Sequence, residues 1–212
     1  MKVLVACEYS GTVRDAFIQK GWEAWSCDLL PTEKPGLHYT GDVSDILSKC
    51  HWDMVVAFPP CTHLAVSGAS HFEQKRQDGR QREGIDFFMK FADLPNVKHV
   101  AIENPVGIMS TFWKKPSQIV QPYDFGNDAS KRTCLWLKNL PNLVPTQRVA
   151  GRMITTKSGK AVERWSNQCD NFGDDKLGPS EFRWKIRSVT YSGIANAMAD
   201  QWTNYCLGSV NC

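Results

Sequence analysis

The chain has 212 residues, 42% of them hydrophobic and 22% charged, with a formal net charge of +3. That size suits one main domain with a small appendage; the composition excludes a disordered or fibrous chain, and the slight basicity permits a polyanionic partner without requiring one. No run nears the roughly 20 apolar residues of a membrane span. The apolar run after Lys2 is shorter than the core of a signal peptide, about 7–15 residues. Eight scattered cysteines form neither a C-x-x-C pair nor zinc-type spacing. A cytoplasmic protein with reduced thiols, no membrane association and no metal is therefore expected.

In chain order, "KVLVA" (2–6) reads as a buried strand, followed by the turn "CEYSG" and a helix at "TVRDAFIQKG" closed by Gly21. Residues 22–30 read as a second strand ending at Asp28. A proline-bearing loop and a short third strand lead to "TGDVSD" and a helix at "VSDILSKC". "DMVVAF" (53–58) is the next strand and runs into "PPC". Between Arg82 and Leu94, the residues Ile85, Phe88, Met89 and Ala92 fall at i, i+3, i+4 and i+7, which predicts an amphipathic helix. "KHVAIEN" (98–104) is a strand stopped by Pro105, and "RTCLWLKNLP" supplies one more. Residues 141–187 are polar and aperiodic, while Ile194, Ala197, Met198 and Trp202 line one side of a final helix. The domain reading is an α/β core over 1–140, an appendage over 141–187, and a C-terminal helix over 188–212 returning to the core. Continuous rather than alternating apolar strands predict a mostly parallel sheet with helices on both faces.

Ligands of such sheets sit beyond the carboxyl ends of the strands, and "CEYSG", Asp28, "PPC" and "EN" all fall there. The first turn leads into a helix N-terminus with free amides, and Gly11 lets the backbone approach a ligand. Asp28 suits the hydroxyls of a ribose. One glycine does not choose between a nicotinamide nucleotide and S-adenosylmethionine, nor does it exclude an ordinary turn. Cys61 follows two prolines, which fix their own φ and restrict the preceding residue, so its thiol is directed out of the strand end. A buried structural cysteine is the competing reading, and it suits Cys7, Cys27 and Cys50 better. Glu103 closes an apolar strand, where partial desolvation raises a carboxyl pKa toward neutrality.

With these residues in place, the chain resembles the cytosine-C5 DNA methyltransferases, particularly compact phage- or prophage-type members. "VACEYSG" resembles their cofactor loop, "DMVVAFPPC" the nucleophile motif and "ENP" the Glu-Asn-Val motif. "SKRTCLWL" resembles the arginine-bearing strand, and "TYSGIANAMADQW" the helix that returns to the cofactor side. The resemblance implies a Rossmann-like S-adenosylmethionine-dependent fold. It also implies methyl transfer to C5 of cytosine in DNA, with Cys61 adding to C6, Glu103 holding N3 and Arg132 holding the base or the thiolate side. Cys7, Glu8, Tyr9, Gly11, Asp28, Asp42, Pro59 and Ser192 would line S-adenosylmethionine, with Asp42 toward the adenine. Departures are the single glycine of the cofactor loop, the first serine after Cys61 at Ser67, Lys131-Arg132 in place of two alternating arginines, and a short recognition segment. Those departures keep two alternatives open: the same chemistry on a free pyrimidine nucleotide or single strand, and an inactive nucleic-acid-binding counter-defence protein.

The segment after Cys61 is expected, by the same resemblance, to close over the base as a mobile lid. Ser67, Lys75, Arg76 and Arg80 there, with Lys131 and Arg183 further on, are the candidate nucleic-acid contacts. Residues 148–187 carry nine basic against five acidic side chains, which suits a polyanion-facing surface. Of Trp165, Phe172, Phe182 and Trp184, most are expected to pack the appendage rather than stack on bases.

Overall fold

The computed structural model describes residues 1–169 and 183–208. Seven strands form one sheet: β1 (Lys2–Ala6), β2 (Glu23–Asp28), β3 (His38–Thr40), β4 (Met54–Ala57), β5 (His99–Pro105), β6 (Gln118–Val120) and β7 (Thr133–Lys138). Their order is β3-β2-β1-β4-β5-β7-β6. β7 alone runs against its neighbours, pairing antiparallel with both β5 and β6. The fold expected from the sequence, a Rossmann-like, mostly parallel α/β sheet with helices on both faces, is the one the chain adopts.

Side chains alternate across the sheet, so each strand feeds two cores. Val3 and Val5 of β1, Met54 and Val56 of β4, and Leu135 of β7 face α1 (Thr12–Gln19) and α7 (Ser192–Gly208). Leu4, Ala6, Val55, Ala57 and Trp136 face α2 (Val43–Lys49) and α4 (Arg80–Ala92). Both cores exclude water almost fully, which is why these runs read as continuously apolar. The strand order reverses between β1 and β4, and the crevice at such a reversal is where open α/β sheets hold ligands. The turn after β1 and the "PPC" turn after β4 are its two walls.

Several elements lie outside what periodicity shows: α3 (Phe72–Gln77), α5 (Met109–Phe112), β6, and a separate hairpin of β8 (Arg152–Thr155) and β9 (Ala161–Arg164). A short helix, α6 (Arg183–Ser188), has no buried residue and hence no apolar stripe to read. The hairpin is anchored at its base, where Trp165 stacks on Tyr123 at 3.9 Å and Arg148 bridges Asp124 and Glu163. Phe172, Phe182 and the acids between 170 and 181 lie outside the described residues, as do 209–212. Among the described residues no helix is long and apolar enough to cross a membrane, and no cluster of three or more His, Cys, Asp or Glu side chains could hold a metal ion.

Candidate active site

The loop that carries Cys61 is fixed from three sides. Asn104, fully buried at the end of β5, donates Nδ2 to the Pro59 carbonyl at 2.7 Å, tying the ends of β4 and β5 together. Lys75 of α3 is buried and donates Nζ to the Thr62 carbonyl at 2.7 Å. On the third side the chain forms an isolated bridge between Ala65 and Gly107, with Val66 N bonded to Val106 O and Ile108 N to Leu64 O. A Cβ at Gly107 would lie 2.3 Å from the Leu64 oxygen, so only glycine permits this approach. Within the segment expected to close over the base, Leu64 to Val66 are bonded to the Cys61 turn and the β5 turn, and the side chains become exposed at Val66 and Ser67.

Cys61 and Glu103, both half-buried, sit at the ends of adjacent strands within electrostatic reach of each other. Burial raises the Cys61 pKa and the Glu103 charge raises it further, while Lys131 and Arg187 pull it down. Burial also pushes the Glu103 carboxyl up, opposed by Lys131 and by a hydrogen bond with the Thr133 hydroxyl. The pair therefore resists carrying two negative charges, and ionising one favours a proton on the other. β7 supplies this site from its first residues because Pro105 pairs with Thr133. The register brings Lys131 to the pair and leaves Arg132 exposed, where its charge opposes the upward shift of the buried Cys134 thiol. Lys131 was expected to meet nucleic acid, and its displacement of Arg132 from the thiol–carboxyl pair is set by strand pairing, not by local sequence.

The opposite wall is built differently from what the sequence suggested. Glu8 is buried, and its carboxylate accepts from Val13 N at 2.7 Å, Ser10 Oγ at 3.0 Å and Arg14 N at 3.4 Å. The amides expected to be free at the start of α1 are therefore occupied by the chain's own acid. Arg14 is completely buried; its guanidinium donates to Asp15, Ser26, Thr32 and the carbonyls of Lys34 and Pro35. Gly11 has φ 70°, and a Cβ there would meet Arg14 NH2 at 2.6 Å, so this glycine makes room for Arg14 and not for a ligand.

Asp28, half-buried at the end of β2, accepts from Leu30 N, and Leu29 beside it is 76% exposed. Sequence reasoning passed over Leu29; its signal is an apolar residue directly after a strand-end acid. Asp42 is exposed and caps α2 through Ser44 N at 2.7 Å, a bond that holds its carboxyl below the usual range. Cys7 has φ 60° and its thiol is pushed up by burial, then by Asp28; Cys27 beside it is pushed up to about 12 by the same causes. Pro59 is buried under Asn104, and Ser192 is the exposed first residue of α7.

Tyr9 is only 5% exposed because α6 crosses over it. The Tyr9 hydroxyl donates to the Lys185 carbonyl at 2.7 Å and lies 3.1 Å from Ser188 Oγ. Lys185 pairs with Glu33 at 2.7 Å, and Lys131 Nζ donates to the Arg187 carbonyl at 2.8 Å. One short helix thus spans the strand ends from the β2–β3 loop to the start of β7.

No protein-family model matches the sequence, and no curated protein is significantly similar to it. Among solved structures the chain is similar to an Escherichia coli prophage-encoded protein described as a DNA modification methyltransferase. That likeness has a TM-score of 0.44 and 13% identity, covering 70% of this chain and 52% of the other. It is also similar to the 16S rRNA methylase RmtB, with a TM-score of 0.31, 13% identity, and coverage of 65% and 55%. An rRNA methylase from Escherichia coli gives 0.33, 13%, 65% and 56%. The chain spans about half the length of these structures.

The remaining expected nucleic-acid contacts divide. Ser67 is exposed, Arg76 is exposed and paired with Glu73, and Arg80 is exposed and paired with Asp78 at 2.8 Å. Lys75 is turned inward, as described, because its stem packs under the loop it braces. Arg183 is half-buried at the start of α6.

Proposed function

We propose that this chain is an S-adenosylmethionine-dependent methyltransferase that modifies C5 of cytosine in DNA through a covalent cysteine adduct at C6. The observation that carries the reading is the thiol–carboxyl pair of Cys61 and Glu103, held across two adjacent strand ends by Asn104 and flanked by Lys131. The donor set on the other wall fits a nucleoside. Asp28 offers a carboxylate to ribose hydroxyls, and the exposed Leu29 offers an apolar face to a purine. S-adenosylmethionine held there supplies an electrophilic methyl group.

The chemistry of the chain's own residues follows from the coupling of the pair. A proton on Glu103 removes the charge that most opposes the Cys61 thiolate, so the reactive form carries one proton, on the carboxyl. The Cys61 sulfur adds to C6 and the C5–C6 double bond opens, while Glu103 gives its proton to N3, leaving C5 electron-rich. Once C5 carries the methyl group, transfer of the C5 proton to solvent water restores the double bond and expels the Cys61 thiolate; the N3 proton returns to Glu103. Lys131 steadies whichever of the two groups is charged. In duplex DNA the base must first leave the stack, at a cost of a few kcal/mol.

Incubation with labelled S-adenosylmethionine and unmethylated DNA is expected to yield 5-methylcytosine, and Cys61→Ser to abolish it. DNA containing 5-fluorocytosine should trap the protein covalently. Binding of the donor with no label in duplex, single strand or RNA would sink the reading. The small hairpin appendage favours one second reading, the same chemistry on a free pyrimidine nucleotide or single strand, which parallel labelling of dCMP and single strands separates.

A further inference from the structure

Of the eight tryptophans in the chain, five are buried and two half-buried; Trp184 alone is exposed, at 57%. Its neighbour Ile186 is exposed to the same degree. Leaving such side chains in water forgoes about 1.5–3 kcal/mol each, and α6 does not use either of them to dock. The helix is held instead by polar groups, the Lys185 and Arg187 carbonyls and the Lys185 ammonium, on Tyr9, Lys131 and Glu33. Every charged side chain of α6 is basic, and exposed Arg132 lies next to Lys131, where the helix is attached. Arg187 of the same helix is close enough to bias Cys61.

We infer that Trp184 is a stacking platform for an unpaired nucleotide next to the target base, with exposed Arg132 beside the helix attachment available to its phosphates. This deepens, and rests on, the nucleic-acid reading proposed above. An indole face accepts any base, and flanking cations supply the sequence-independent attraction to a strand. An exposed indole on a helix that carries basic and no acidic side chains, beside exposed Arg132, suits a polyanion with aromatic faces better than an apolar protein partner. The anchoring of α6 through its backbone fixes the platform relative to Cys61 without occupying the indole.

Fluorescence anisotropy with a labelled pyrimidine 12-mer, measured without methyl donor, tests this. Trp184→Ala should weaken single-strand binding about 5- to 150-fold, the equivalent of about 1–3 kcal/mol of stacking. Trp184→Phe should restore most of it. The salt dependence should stay unchanged in both, because stacking releases no counterions. Equal affinity of Trp184→Ala and the unaltered protein overturns the platform, as does binding of duplex alone. A dimer in sedimentation that Trp184→Ala dissociates also overturns it, assigning this face to a second copy. Methyl transfer is scored separately: an affinity loss in a protein that transfers no label supports the platform and defeats only the catalytic reading. A protein that labels DNA with unchanged affinity does the reverse.

Discussion

The two walls of the crevice between β1 and β4 solve the same problem with opposite means. On the thiol side, the chain presents a thiol beside a carboxyl and braces their loop mainly with neutral groups: an amide on a proline carbonyl, a backbone bridge and one glycine at a close approach. The buried Lys75 ammonium is the charged exception. On the side of the β1 turn it fills the space with charge, a buried carboxylate on the α1 amides and a buried guanidinium behind it. The first wall leaves a thiol and a carboxyl within electrostatic reach of each other, whereas the second uses its polar groups on its own backbone.

Removing the guanidinium should break the charged wall first. Arg14→Met removes five buried or part-buried guanidinium hydrogen bonds. A stability loss on the order of 4 kcal/mol is expected, read as a fall in Tm of about 10 °C. If calorimetry shows a fall of under about 2 °C, the guanidinium is not what holds that wall.

On the neutral wall, Glu103→Gln should lower methyl transfer about 10²- to 10⁴-fold, the range for a lost general acid. The pH profile sharpens this. The Glu103 pKa is raised, so the carboxyl is protonated below it and the acid role fades as pH rises through it; that descending limb should vanish in Glu103→Gln. Stability has the same sign. A raised folded-state pKa means that the stabilising contribution is present at low pH and lost as pH rises through that pKa, so Glu103→Gln should gain stability relative to the unaltered protein as pH rises above the ordinary carboxyl range. A constant difference at all pH values would place the Glu103 carboxyl in water.

Asn104→Ala should cost about 1–3 kcal/mol and, by freeing the Pro59 carbonyl, slow transfer up to about 100-fold while leaving donor binding intact. Smallest is the contrast between two basic neighbours, Lys75 and Arg76. Lys75→Met should lower stability by about 1 kcal/mol without altering the salt dependence of DNA binding, whereas Arg76→Ala should leave stability within about 0.5 kcal/mol. A change in salt slope for Lys75→Met would return that ammonium to the DNA surface.

This contrast also explains what could be read in advance. β1, β4 and β5 were legible because strands buried on both faces are written as unbroken apolar runs, and Cys61 and Glu103 because their types are unusual at strand ends. β6 has three residues, and α6 has no apolar face, so neither produces a period. Lys75 reads as a solvated charge, since nothing local says that the Thr62 carbonyl will be within reach. The choice between Lys131 and Arg132 depends on the Pro105–Thr133 register, which is a property of two distant segments. Gly11 is the sharpest case: a glycine in a ligand-type turn proved to serve a side chain three residues away.

That service is shared. A Cβ at Gly36 would lie 2.7 Å from the Arg14 guanidinium carbon, and Gly36, like Gly11, has a positive φ. Two glycines from separate loops and one arginine from a helix therefore form a single inherited unit. Arg14 has room only while both glycines stay, and neither loop is filled if Arg14 alone is lost. Descent can dismantle the arrangement only through intermediates that are clashing or hollow. A turn rebuilt in this way is hard to rebuild back.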